Sequence, residues 1–125
     1  MASPVVHIEV RGLEEPSLQA FYQDIFGWFR EEGLSVDGYS VAEIGGGQLT
    51  AAIGQTPEWT ARECTFFIQV DDIDNTLSRI EQAGGKRLMP RTVSSEDFPA
   101  KHIRIFTKFV DPAGNVLGLV EAPRA

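Results

Sequence analysis

The chain has 125 residues, 42% of them apolar and 23% charged, which is enough for one real core and too little for two full domains. Its formal charge of −7 and pI near 4.7 argue against nucleic acid or an anionic membrane surface as partner, because both reward clustered Lys and Arg. No apolar run approaches membrane-spanning length, and Met1 to Pro4 lacks the basic-then-apolar pattern of an export leader, so a soluble cytoplasmic protein is expected.

Val5 to Arg11 reads as a strand, with Val6, Ile8 and Val10 alternating against His7, Glu9 and Arg11. Pro16 suits the first turn of a helix whose apolar stripe is Leu18, Phe21, Tyr22, Ile25 and Phe26, and Gly27 ends it. Three shorter strand-like runs follow at about Trp28–Glu32, Tyr39–Ile44 and Gln48–Ile53, separated by Gly and Asp turn signals. The triplet Gly45-Gly46-Gly47 is a hairpin turn rather than a phosphate loop, since strand-type residues follow it where a helix N-terminus would be required.

The same order then repeats. Cys64–Val70 is a strand, Asp72 or Asp74 caps a helix carried by Ile73, Leu77, Ile80 and Ala83, and Gly84-Gly85 stops it. Strands follow at about Lys86–Val93, His102–Val110 and Asn115–Glu121, the last two joined through Asp111-Pro112-Ala113-Gly114. Leu13, Leu18 and Phe21 recur as Ile73, Leu77 and Ile80, displaced by 59 or 60 residues. The pattern is β-α-β-β-β twice, an α+β class with one module at about 5–54, a connector at 55–62 and a second module at about 63–121 within a single domain. Cys64 is the sole cysteine, which excludes an intrachain disulfide, and its apolar run suggests a buried filler.

Four motifs in this order carry a resemblance: Phe21-Tyr22 with Phe26-Gly27-Trp28, Val70-Asp71-Asp72-Ile73, Gly84-Gly85-Lys86, and Asp111-Pro112 with Gly114-Asn115. Together they resemble the vicinal oxygen chelate superfamily, the group of glyoxalase I, bleomycin-resistance proteins and extradiol dioxygenases, over about Val5 to Glu121. The resemblance implies two βαβββ modules with sheets curled around a shared cavity, usually within a homodimer. In the metal-dependent members, ligands come from the first and last strands of each module. His7 matches the first-strand position. Thr65 falls where the second module offers a His, Gly118 where it offers a Glu, and Leu49–Gly54 contains no acid, His or Cys. One donor of four does not hold a catalytic divalent ion, so neither metal nor cofactor is expected.

With His7 facing the cavity, alternation places Glu9 and Arg11 beside it, Thr65, Phe67 and Gln69 on the second module's wall, and Gly118 where it opens space. His102, Arg104, Phe106 and Lys108 share one face of the seventh strand and offer either an anion site or a solvated face. Trp28 and Trp59 suit core or interface roles. Three functions fit these residues. The favoured one is metal-independent binding of a small organic molecule, of the bleomycin-resistance type, in the cavity or at a dimer interface. The second is an enzyme of lyase, isomerase or dioxygenase type using His7 with Glu9 as acid and base or in an atypical metal site. The third is a protein-interaction scaffold.

Overall fold

The computed structural model describes residues 2–13, 15–29, 34–36, 39–44, 49–56, 63–94 and 103–122. His102, Trp59 and the Gly45-Gly46-Gly47 triplet lie outside the described residues. Two compact units divide the chain, Val6–Thr65 and Phe66–Ala125 with Met1–Val5. The α+β class is the one expected from the sequence.

The first unit contains β1 (Val5–Gly12), α1 (Glu15–Phe26), β2 (Leu34–Val36), β3 (Tyr39–Ile44) and β4 (Leu49–Gln55). Its strands lie in the order β2, β3, β4, β1, antiparallel except for the parallel β4–β1 pair. One face of this sheet packs Ala42 and Ile53 with Phe29, Val10, Leu18, Tyr22 and Trp28. The opposite face carries His7, Glu9 and Arg11, so the alternation of β1 sorts polar from apolar side chains across the sheet.

Two expectations change here. The helix stripe is only partly buried: Leu18 and Tyr22 join the core, whereas Phe21, Ile25 and Phe26 are 52%, 63% and 62% exposed. Trp28 and Phe29 form a turn rather than starting a strand, with Gly27 (φ 75°) and Phe29 (φ 66°) both in left-handed backbone, and the rest of the run expected over Trp28–Glu32 lies outside the described residues. Trp28 then stacks on Tyr22 with ring centroids 4.8 Å apart, and the next strand among the described residues is Leu34–Val36.

The second unit takes up most of β5 (Glu63–Val70), then α2 (Ile73–Gln82), β6 (Lys86–Arg87), β7 (Thr92–Val93), β8 (Ile105–Val110) and β9 (Val116–Glu121). β9 lies parallel to β5 and antiparallel to β8, and both short strands pair with β8. Its internal order therefore matches that of the first unit, with β6 and β7 standing for one interrupted strand. Pro90 has no N–H to give the ladder, so the run expected over Lys86–Val93 breaks around it. The break is tied down by Thr107 Oγ1, which donates to the Met89 carbonyl at 2.7 Å. The strand expected from His102 begins instead at Ile105.

Asp72 is the N-cap of α2, its Oδ1 accepting from the Asn75 amide at 3.0 Å. Ile73 and Leu77 of this helix are fully buried with Phe109 and Leu119. Glu121, 5% exposed at the end of β9, accepts from Arg91 Nε at 2.8 Å and from the Ile73 amide at 3.4 Å. Its carboxylate thus sits at the start of α2, where the helix dipole favours negative charge. The Asp-Pro-x-Gly-Asn motif is a self-contained turn: Asp111 Oδ1 accepts from the Ala113 and Asn115 amides, and Oδ2 from Asn115 Nδ2, each at 2.9 Å.

Candidate functional site

The register of the first unit builds a polar cluster. His7 lies opposite Thr50, while Arg11, Gly54 and Tyr39 share one row across β1, β4 and β3. Gly54 in the middle of that row has no side chain, so Arg11 and Tyr39 meet above it. A Cβ on Gly54 would lie 3.2 Å from both Arg11 Nη1 and Tyr39 Cδ1. The Arg11 guanidinium carbon stands 5.8 Å from the Tyr39 ring centroid, a cation–π distance.

His7 is 1% and Glu9 4% exposed, and each is engaged on two atoms. His7 Nδ1 lies 2.6 Å from Thr50 Oγ1, and Nε2 lies 2.9 Å from Tyr39 Oη. Tyr39 Oη donates to Glu9 Oε2 at 2.8 Å, and Arg11 Nε donates to Glu9 Oε1 at 2.6 Å. Burial raises the phenol pKa of Tyr39, and the neighbouring Glu9 carboxylate raises it further, so this residue acts as a neutral hydroxyl. For Arg11, burial opposes the charge, but Glu9 outweighs it and the guanidinium stays protonated.

A cleft of about 730 Å³ opens beside this cluster. Val10, Leu18 and Phe21 give it an apolar wall, and Arg11, Glu63 and Cys64 supply polar atoms. That volume suits a small organic molecule. His7 and Glu9 do not line it; Arg11 is the residue common to cluster and cleft. Cys64 is exposed there, contrary to the buried filler expected, because β5 turns Thr65 inward and Cys64 outward.

The remaining candidates are distributed as follows. Thr65 is 2% exposed, and its Oγ1 has no hydrogen-bond partner among the described residues. In the other unit Phe67 is 3% exposed and lies opposite Gly118 on the β5–β9 ladder. A Cβ on Gly118 would be only 2.1 Å from Phe67 Cδ2. Gly118 therefore does not open space as expected: it makes room that the Phe67 ring already fills. Gln69 is half-buried, its amide donating to the Pro4 carbonyl. Arg104 precedes β8 and donates from Nε to the Ser94 carbonyl at 3.2 Å, while Lys108 lies in the strand beside Gly118. Tyr39 and Thr50 were not singled out in the sequence, although their place in strands that neighbour β1 was the available signal.

Among the described residues, no three His, Cys, Asp or Glu side chains are grouped to hold a metal ion. The donor chemistry agrees with that grouping. Both nitrogens of His7 face hydroxyls, position 65 offers a threonine, and position 118 lies under a phenyl ring. The superfamily's divalent ion does not fit these residues.

The fold, together with a family match over nearly the whole chain, places it in the vicinal oxygen chelate superfamily. Within it the chain belongs to the glyoxalase-like domain family, whose model matches residues 8–120. The proposed glyoxylase CFP32 of Mycobacterium bovis is 26% identical over 129 aligned residues, and so is its counterpart in Mycobacterium tuberculosis. Each match covers 94% of this chain but 45% of the relative, so the chain spans less than half the length of these curated relatives. Among solved structures, a methylmalonyl-CoA epimerase in complex with methylmalonyl-CoA and NH4+ superposes with a TM-score of 0.68 at 16% identity, covering 98% of this chain and all of that one. The Mycobacterium tuberculosis methylmalonyl-CoA epimerase gives 0.67 at 13%, covering 96% and 88%. At these identities the likeness is one of fold.

Proposed function

We propose that this chain binds a small organic molecule without a metal ion, and does so as a homodimer. The observation that carries the reading is the engagement of His7 at both ring nitrogens and of Glu9 at both oxygens, by hydroxyls and a guanidinium of the same sheet. A divalent ion would have to displace a hydroxyl held at 2.6 or 2.9 Å, at the cost of a hydrogen bond made by the buried imidazole. The cleft beside Arg11 offers an apolar wall with few polar groups, as a site for an organic molecule does. The exposed Phe21, Ile25 and Phe26 of α1 support the dimer, since a second copy would cover an apolar face that one copy leaves in water.

The test combines metal content with binding. Elemental mass spectrometry of the purified chain, before and after incubation with Zn, Ni, Mn or Fe(II) and desalting, is expected to find no retained metal. A thermal-shift panel of aromatic and aliphatic carboxylates, alcohols and amides should give at least one stabilising compound whose effect is lost when Cys64→Phe narrows the cleft. Stoichiometric metal that disappears in His7→Ala would overturn the proposal.

One observation favours a second reading, an enzyme of isomerase or lyase type. Tyr39 joins His7 to Glu9 through its hydroxyl, which is a connection an acid–base pair could use. That structural neighbours are epimerases, one holding methylmalonyl-CoA, agrees with this alternative. It requires turnover that falls in His7→Ala while the fold is retained.

A further inference from the structure

His7 and Glu9 are next neighbours on one face of β1, and Tyr39 from β3 connects them. The proton count of this trio is restrictive. Tyr39 has one O–H and lies 2.8 Å from a carboxylate oxygen of Glu9 and 2.9 Å from the imidazole Nε2 of His7. Arg11 Nε on the other carboxylate oxygen keeps Glu9 ionised, and an ionised acceptor takes the shared proton in preference to a neutral one. Toward these partners the phenol oxygen is then an acceptor from His7, with Nε2 as the donor. Nδ1 is left with its lone pair toward Thr50 Oγ1, whose hydroxyl donates to it at 2.6 Å.

We propose that Tyr39 is a positioning residue: it holds neutral His7 in the Nε2–H form and joins His7 and Glu9 into one acid–base unit. When His7 takes up a second proton at Nδ1, Thr50 turns its own proton toward the Val6 carbonyl, 3.4 Å away. From that imidazolium, the Nε2 proton passes to Tyr39 Oη as the phenol proton passes to Glu9 Oε2. The Nε2–H and original Oη–H bonds break, new Oη–H and Oε2–H bonds form, and an imidazolium–carboxylate pair becomes a neutral imidazole with a carboxylic acid. Among the described residues, the charged and titratable groups that act on the unit include Glu9 and Arg11 from β1, Tyr39 itself from β3, and Glu63 of β5, which acts on Arg11; β4 contributes the Thr50 hydroxyl. Arg11 opposes the transfer by favouring ionised Glu9, so once His7 is protonated the charged pair is the favoured form.

The unit deepens the acid–base reading of His7 and Glu9 and rests on that reading only for its use; its test needs neither ligand nor turnover. Nitrogen-15 labelling of the imidazoles in the full chain, with His102→Gln leaving one histidine, gives the His7 tautomer from long-range correlations across its titration. The expected result above that titration is Nε2–H over Nδ1–H by about tenfold or more. Thr50→Val should keep that preference, while Tyr39→Phe should reverse it, since Nδ1–H can then donate to Thr50. An Nδ1–H tautomer in the unmodified chain, or a preference unchanged by Tyr39→Phe, would overturn the proposal. If Tyr39→Phe fails to fold, an Nδ1–H tautomer in the unmodified chain still overturns it.

Discussion

Gly118→Ala is the sharpest test of the packing of Phe67 against the β5–β9 ladder. The added methyl would lie 2.1, 2.3 and 2.6 Å from Phe67 Cδ2, Cε2 and Cγ, distances that no pair of carbons tolerates. Phe67 is 3% exposed and cannot swing into water, so its ring or the β5–β9 ladder must shift. Overpacking of this kind costs about 1–3 kcal/mol. For a domain of this size that corresponds to a fall in Tm of roughly 5–10 °C. The assay is thermal and urea unfolding of Gly118→Ala, Phe67→Leu and the double variant, read as a cycle. Each single change should destabilise, and the double variant should be less destabilised than their sum by about 1 kcal/mol, because Leu vacates part of the space the methyl needs. Additive effects, or an unchanged Tm in Gly118→Ala, would refute the claim that the ring occupies this position. Gly118→Glu should behave as a severe form of the same lesion and should recruit no metal.

Thr65→Val is expected to leave Tm unchanged or raise it by a few degrees, because it removes a buried hydroxyl with no partner among the described residues; a large loss would show that the hydroxyl is satisfied. Hydrogen bonds from Asn115 lead in lowering the Asp111 pKa below its usual 3.8. A depressed carboxylate contributes stability that is present above 3.8 and lost as pH falls through the lower folded value, so Asp111→Ala should flatten the acid limb of a stability–pH curve below about pH 4, measured by urea midpoints. Sedimentation equilibrium should give a dimer for the unmodified chain and a monomer for Ile25→Glu with Phe26→Glu; a monomeric unmodified chain would remove the homodimer from the proposal.

The element order was readable because apolar periodicity changes from two to nearly four at residues that also carry stop signals. Gly27, Asp72 and Gly84 mark those changes in the sequence as they do in the fold. Where expectation and structure part, the cause is a property periodicity does not encode. Pro90 splits a strand whose apolar pattern runs through it. Phe29 adopts a backbone conformation that a bulky residue seldom takes, and so forms a turn where the apolar pattern reads as a strand. The stripe on α1 marked its apolar side chains correctly, yet a stripe states what can be buried rather than what covers it. Position 118 shows the same gap at the level of one residue. A missing carboxylate reads as lost chemistry or as gained space, and only the ring of Phe67 decides between them.

The site itself was half legible for a related reason. Strand alternation put His7, Glu9 and Arg11 on one face, which is a property of β1 alone. Tyr39 and Thr50 depend on cross-strand register, and register follows from loops whose lengths carry no pairing information. Once β4 pairs His7 with Thr50 and Arg11 with Gly54, the small residue at 54 determines that Tyr39 and Arg11 converge. Gly54→Val therefore separates the cluster's geometry from its chemistry, since it leaves every polar residue in place. Its side chain would push on Arg11 Nη1 and Tyr39 Cδ1, each 3.2 Å from the first added carbon, and lengthen the hydrogen bonds to Glu9. The expected readout is a weakened Nε2–H preference at His7 with far-UV dichroism unchanged. A preserved tautomer in Gly54→Val would mean that Tyr39 reaches His7 by a route other than the row across residue 54.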